Sequence, residues 1–180
     1  MGTLIFTSPS NINKGLFAQT ANGSIATGTI PTSLVGSGIG TLSVPANAFQ
    51  VGDSFKATLY GHISCANNED LNIKLICSTT TIGSTGIISM PQCTNQHFEF
   101  EVQFTIRSLG GPGVASILTA GFFTFSKDAS NAFEGSDFTQ IENTLFDTVV
   151  SQTLDIEADW GSNNPANQIY VESFVLTKIF

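Results

Sequence analysis

Basic residues are nearly missing from this chain of 180: six Lys and Arg stand against fourteen Asp and Glu, a net charge of −8. Neutralising phosphates takes a basic patch, so a dedicated binder of nucleic acid or of an anionic membrane is excluded. Charge of either sign is also thin, at 11% against a usual ~25%. No apolar run approaches the ~18 residues of a membrane span. Met1–Pro9 has neither the basic start nor the apolar stretch of a signal peptide, and Phe6 stands where myristoylation needs Ser or Thr. Good helix formers are scarce, and no 3.6-residue apolar period lasts beyond about two turns. Three cysteines, Cys65, Cys77 and Cys93, make an odd count with no zinc spacing. Reduced, partly buried thiols are expected; one disulfide plus a free thiol is the alternative. His62 and His97 are the only imidazoles, and no Gly-x-Ser-x-Gly elbow exists. No catalytic residue, cofactor or enzymatic activity is therefore assigned.

What the chain has is hydroxyl and Phe: 21 Thr, 19 Ser and 15 Phe. At 41% apolar content it can bury a core without a metal or a disulfide framework. The strongest pattern is period-2 alternation. In 97–107, Phe98, Phe100, Val102, Phe104 and Ile106 alternate with Glu99, Glu101, Gln103 and Thr105. Similar patterns cover 53–64, 70–77 and 152–160, the last with Leu154, Ile156 and Trp160 inward. Residues 115–126 are more continuously apolar. Turn formers fall between these stretches: Pro45-Ala46-Asn47, Asn67–Asp70 as a hairpin-like connection, Gly83–Gly86, Gly110–Gly113 and Gly161–Pro165. Residues 127–137 read as a polar loop, and 45–49 as the best candidate for a single helical turn. The sum is all-β: an antiparallel two-sheet sandwich of about eight to ten strands, almost without helix, most simply a jelly roll with Greek-key connections. Phe98, Phe100, Val102, Phe104, Leu154, Ile156 and Trp160 are its expected core. Residues 1–35 differ in composition and read as an N-terminal arm, or a first strand plus loop, before a domain at 36–180.

The final stretch, 168–180, is apolar on both parities, which suits a central strand or one facing a subunit partner. Tyr170, Phe174 and Phe180 are the candidate interface residues. Asp155, Glu157 and Asp159 share one face of their strand and are weak candidates for calcium; a plain acidic solvent face has the same sequence. The 127–137 loop carries acids but lacks EF-hand spacing. Gly36-Ser37-Gly38-Ile39-Gly40 is followed by strand-like residues, so it reads as a loop or turn rather than a phosphate cradle. Tyr60, Tyr170 and Trp160 would suit a sugar platform, although core packing accounts for most aromatics.

Three stretches carry a resemblance: Val44–Phe55 with its Pro-Ala-Asn turn and Val-Gly-Asp strand start, Ser126–Glu134, and Gln152–Asn164 continuing to Ile169–Phe180. Together they resemble small single jelly-roll virion proteins of tailed phages and large DNA viruses. The resemblance implies a capsid, vertex (penton) or decoration subunit at the outer shell of a virion. Such a subunit assembles in the host cell with copies of itself, as a trimer or pentamer, and with other virion proteins. The alternative is a receptor- or carbohydrate-binding module of the same fold, such as a fibre head for host attachment.

Overall fold

The computed structural model describes residues 14–127, 132–143 and 145–180. Among these, thirteen strands run in chain order: β1 Lys14–Gln19, β2 Thr32–Ser33, β3 Gly38–Gly40, β4 Ser43–Val44, β5 Ser54–Cys65, β6 Glu69–Cys77, β7 Thr80–Ser84, β8 Ile88–Met90, β9 Cys93–Ser108, β10 Ser116–Ser126, β11 Phe133–Asn143, β12 Gln152–Trp160 and β13 Gln168–Lys178. No helix occurs among the described residues, so none is long and apolar enough to cross a membrane. The larger sheet has the order β11-β10-β9-β5-β13-β1-β3. The smaller is built on β2-β12-β6-β7, with β4 also on β12 and β8 also on β6. All pairings are antiparallel. The molecule is a two-sheet β-sandwich.

Alternation decides which side chains enter the core. In β9, Phe98, Phe100, Val102, Phe104 and Ile106 point inward and are buried. From β12 come Leu154, Ile156 and Trp160, so all seven expected core residues are buried. Phe rings fill the space between sheets: Phe100 meets Phe138 edge-on at 5.1 Å, and Phe55 stacks on Phe104 at 5.1 Å. Gly83 of β7 is needed here, because a Cβ would lie 2.3 Å from the Phe138 ring. The buried indole of Trp160 donates from Nε1 to the carbonyl of Ala26 at 3.0 Å, which satisfies its one polar group.

Several expectations are corrected. Asn67–Asp70 does not close a hairpin. It carries the chain from the larger sheet (β5) to the smaller (β6), with Asn68 at φ 62° making the turn. Residues 133–137 are strand rather than loop, because β11 pairs along β10 from Ser126 opposite Phe133; Asp128–Asn131 lie outside the described residues. Residues 45–49 form a turn closed by Ala48 N–H to Pro45 C=O, with Asn47 at φ 60°, and not a helical turn. Gly38–Gly40 is a short edge strand paired with β1. Residues 14–35 supply β1 to one sheet and β2 to the other, with Phe17, Ala26 and Leu34 in the shared core; residues 1–13 lie outside the described residues.

The two-parity pattern of β13 has a different cause from the one expected. A β-bulge between Val171 and Ser173 shifts the register against β5. Ile169 and Val171 point inward before it, Phe174 and Leu176 after it, and all four are buried. One extra residue swaps the parity, so a strand with a single buried face reads as apolar on both. Phe174 is therefore a core residue, 1% exposed and 5.5 Å from the Phe17 ring, and not a surface for a partner.

Candidate functional site

Large apolar side chains left in water are the informative exception in a small domain. Fifteen are exposed among the described residues, and seven sit at one end of the sandwich: Val51, Leu109, Val114, Leu145, Val149, Val150 and Phe180. They come from three loops and the C-terminus, tied together by backbone hydrogen bonds. Thr148 N–H donates to Gly110 C=O at 3.0 Å, Gly110 N–H donates to Thr148 Oγ1 at 2.8 Å, and Asn47 N–H donates to Thr148 C=O at 2.9 Å. Gly52 N–H reaches Ile106 C=O at 2.8 Å, and Ser54 N–H reaches Phe180 C=O at 3.1 Å. Gly110 at φ 144° and Gly113 at φ 85° give the β9–β10 turn a backbone that other residues rarely adopt. That turn holds Val114 outward at 66% exposure, and Leu145, three residues before the Thr148 anchor, is 69% exposed. Phe180 is 64% exposed, so of the three expected interface residues it alone belongs to this end. At its border, Lys178 Nζ pairs with Asp53 Oδ1 at 2.6 Å.

A second constellation lies on the outer face of the larger sheet. Register places His62 opposite both His97 and Tyr170, and Tyr60 opposite Glu99. The rings of Tyr60 and His97 stack at 5.9 Å with planes 8° apart; His62 meets His97 edge-on and tilts against Tyr170. Tyr60 Oη donates to Glu99 Oε1 at 3.0 Å, and this bond raises the phenol above its usual pKa. His62 Nδ1 lies 3.1 Å from Glu172 Oε2, without hydrogen-bond geometry. Tyr170 thus belongs to an aromatic and carboxylate patch away from the apolar end. Trp160, buried and hydrogen-bonded in the core, takes no part in a platform.

The expected acidic face of β12 exists, but two of its three carboxylates are engaged by other side chains. Asp155 Oδ1 accepts from Ser33 Oγ at 2.6 Å, and Asp159 pairs with Lys74 at 2.6 Å. Partial burial, then the neighbouring Asp155 charge, raises the Glu157 carboxyl above its usual value. Among the described residues, no group of three or more His, Cys, Asp or Glu side chains is placed to hold a metal ion. Glu69 has a structural role: its carboxylate accepts from Ser162 Oγ, Asn164 Nδ2 and Asn167 Nδ2 at 2.6, 2.9 and 2.9 Å. A cavity of about 380 Å³ opens between the sheets, lined by Leu42, Phe49, Phe55, Phe104 and Leu154, with Lys14 and Lys178 also on its wall.

Five of the seven residues at the apolar end, Leu109, Val114, Leu145, Val149 and Val150, had no signal in the sequence beyond lying near turn formers. Their proximity depends on which loops share an end of the sandwich. No family model matches the chain, and no curated protein or solved structure matches it.

Proposed function

We propose that this chain is a self-assembling structural subunit: a jelly-roll capsid, vertex or decoration protein that forms a closed homo-oligomer on the outer shell of a virion, with no catalytic role. One observation carries the assembly reading, the seven exposed apolar side chains gathered at one end of the sandwich. A patch of this kind marks an interaction surface, and a second copy is the occupant that the chain's own composition favours. With a net charge of −8 and few ion-pairing groups, its contacts must be mostly apolar and hydroxyl-mediated. The step from oligomer to virion rests on the sequence resemblance alone.

Light scattering on a sizing column tests it. The expected mass is a discrete multiple of 19.0 kDa, a trimer or pentamer, falling to the single-chain mass in a Val114→Asp/Leu145→Asp variant. A 19.0 kDa monomer at high protein concentration overturns the reading. The stacked Tyr60–His97 pair beside Glu99 and Glu172 favours a second reading, a glycan- or receptor-binding face used in host attachment. Flat rings pack against sugar C–H faces while carboxylates accept sugar hydroxyls. Glycan-array signal lost in Tyr60→Ala supports it; an array without signal removes it.

A further inference from the structure

Cys65 ends β5 and Cys93 begins β9, and the two are direct partners in the antiparallel ladder. Opposed residues of such a ladder have Cα atoms about 4.5–5.5 Å apart, inside the ~4.4–6.8 Å range of disulfides. The two Sγ atoms are 3.5 Å apart, in contact and unbonded. Carbonyl oxygens also lie within reach of both sulfurs, that of Pro91 at 3.2 Å from Cys65 Sγ and that of Ile63 at 3.8 Å from Cys93 Sγ. Both side chains are buried, yet a surface cavity of about 320 Å³ lies against them, walled by Ser64, Cys65, Ala66, Gln92, Cys93 and Thr94. The two thiols therefore border a surface recess and do not lie in the middle of the sandwich. Cys77 ends β6 in the other sheet and lines the inter-sheet cavity, away from this pair, and burial pushes its thiol up to about 12.

We propose that Cys65 and Cys93 are a site of reversible covalent modification: they close to an intrachain disulfide on meeting a low-molecular-weight disulfide such as oxidised glutathione. One Cys thiolate attacks a glutathione sulfur, giving a mixed disulfide and releasing one glutathione thiol. The second Cys then displaces the other glutathione. One S–S bond forms and one breaks; two protons and two electrons pass from the cysteines to two molecules of glutathione. The bond would tie the base of the excursion that carries β6, β7 and β8, because the chain leaves the larger sheet at Cys65 and returns at Cys93. Three of the smaller sheet's strands would then hang on a covalently closed loop. The hydrogen bond with Cys93, together with burial, holds the Cys65 thiol above its usual pKa, so uncatalysed closure is slow at neutral pH and faster in mild alkali. The inference is independent of the assembly reading.

The test incubates the folded chain with oxidised glutathione at mildly alkaline pH, then alkylates it in denaturant and maps the peptides by mass spectrometry. The expected product has Cys65 linked to Cys93, a loss of two hydrogens, and alkylation at Cys77 only. Its Tm rises by several degrees and returns on adding dithiothreitol. Cys93→Ser, checked for folding by circular dichroism, loses that rise, whereas Cys77→Ser keeps it. Three alkylated cysteines, or glutathione held as a lasting mixed disulfide, overturns the proposal.

Discussion

Glu69 shows how one side chain can order a turn. Three donors from Ser162, Asn164 and Asn167 converge on it, and these bonds, Asn167 first, hold its carboxyl below the ordinary 4.5. A depressed carboxyl stabilises the fold fully above its unfolded pKa, and that contribution is lost as pH falls through the folded value. The Tm gap between wild type and Glu69→Gln should therefore be open at pH 7 and close as pH drops below about 4. A gap that persists at pH 3 would mean that the glutamine fails for a reason other than charge. In the core, Phe100→Ala should cost about 3–5 kcal/mol in urea unfolding, since the ring is 1% exposed and meets Phe138 edge-on. A loss below about 1 kcal/mol would place Phe100 on the wrong face.

Among the elements, β13 is the most sensitive to a change in length. Its bulge at Glu172–Ser173 lets two inward pairs of opposite parity share one strand. Deleting Ser173 should send Phe174 and Leu176 to the solvent side, and the variant should be insoluble or bind hydrophobic dye, whereas Ser173→Ala should behave as wild type. Here lies the limit of what was legible. β12 was read at its observed bounds because strict alternation runs unbroken from Gln152 to Trp160. The polar pair Glu172-Ser173 between two apolar alternations did signal a bulge, but it is outweighed by the simpler pattern of a two-faced strand. β11 was hidden because Glu134, Gly135, Ser136 and Asp137 have poor strand propensity, and pairing with β10 overrides it. The β5–β6 connection looked like a hairpin because neighbours in sequence usually pair, and here they part into different sheets. The apolar end and the paired imidazoles were beyond reach for one reason: each is assembled by register and loop placement across distant segments, and neither leaves a local pattern.

At the scale of the whole molecule, a charge of −8 on each copy opposes the apolar contact that would join copies. Salt shortens the reach of that repulsion, from a Debye length of about 30 Å at 0.01 M to about 8 Å at 0.15 M. Association measured by sedimentation should therefore tighten as sodium chloride rises over this range. Weakening with salt would point to ion pairs at the contact and away from the apolar end. The Val114→Asp/Leu145→Asp variant should unfold within about 0.5 kcal/mol of a monomeric wild-type reference, because both positions are exposed.

The larger sheet also sets the order in which the chain can come together. β1 lies beside β13, with Lys14 opposite Lys178, and β5 is clasped between β9 and β13. During synthesis β5 meets β9 early, while its other edge waits for the last strand made. A topology so rich in distant pairings folds on the slow side, in milliseconds to seconds. Through that interval β5 offers a bare row of backbone donors and acceptors to whatever lies near. Nascent copies on one message are the nearest strangers to that open edge, so a mispaired dimer through β5 is the error this strand order invites.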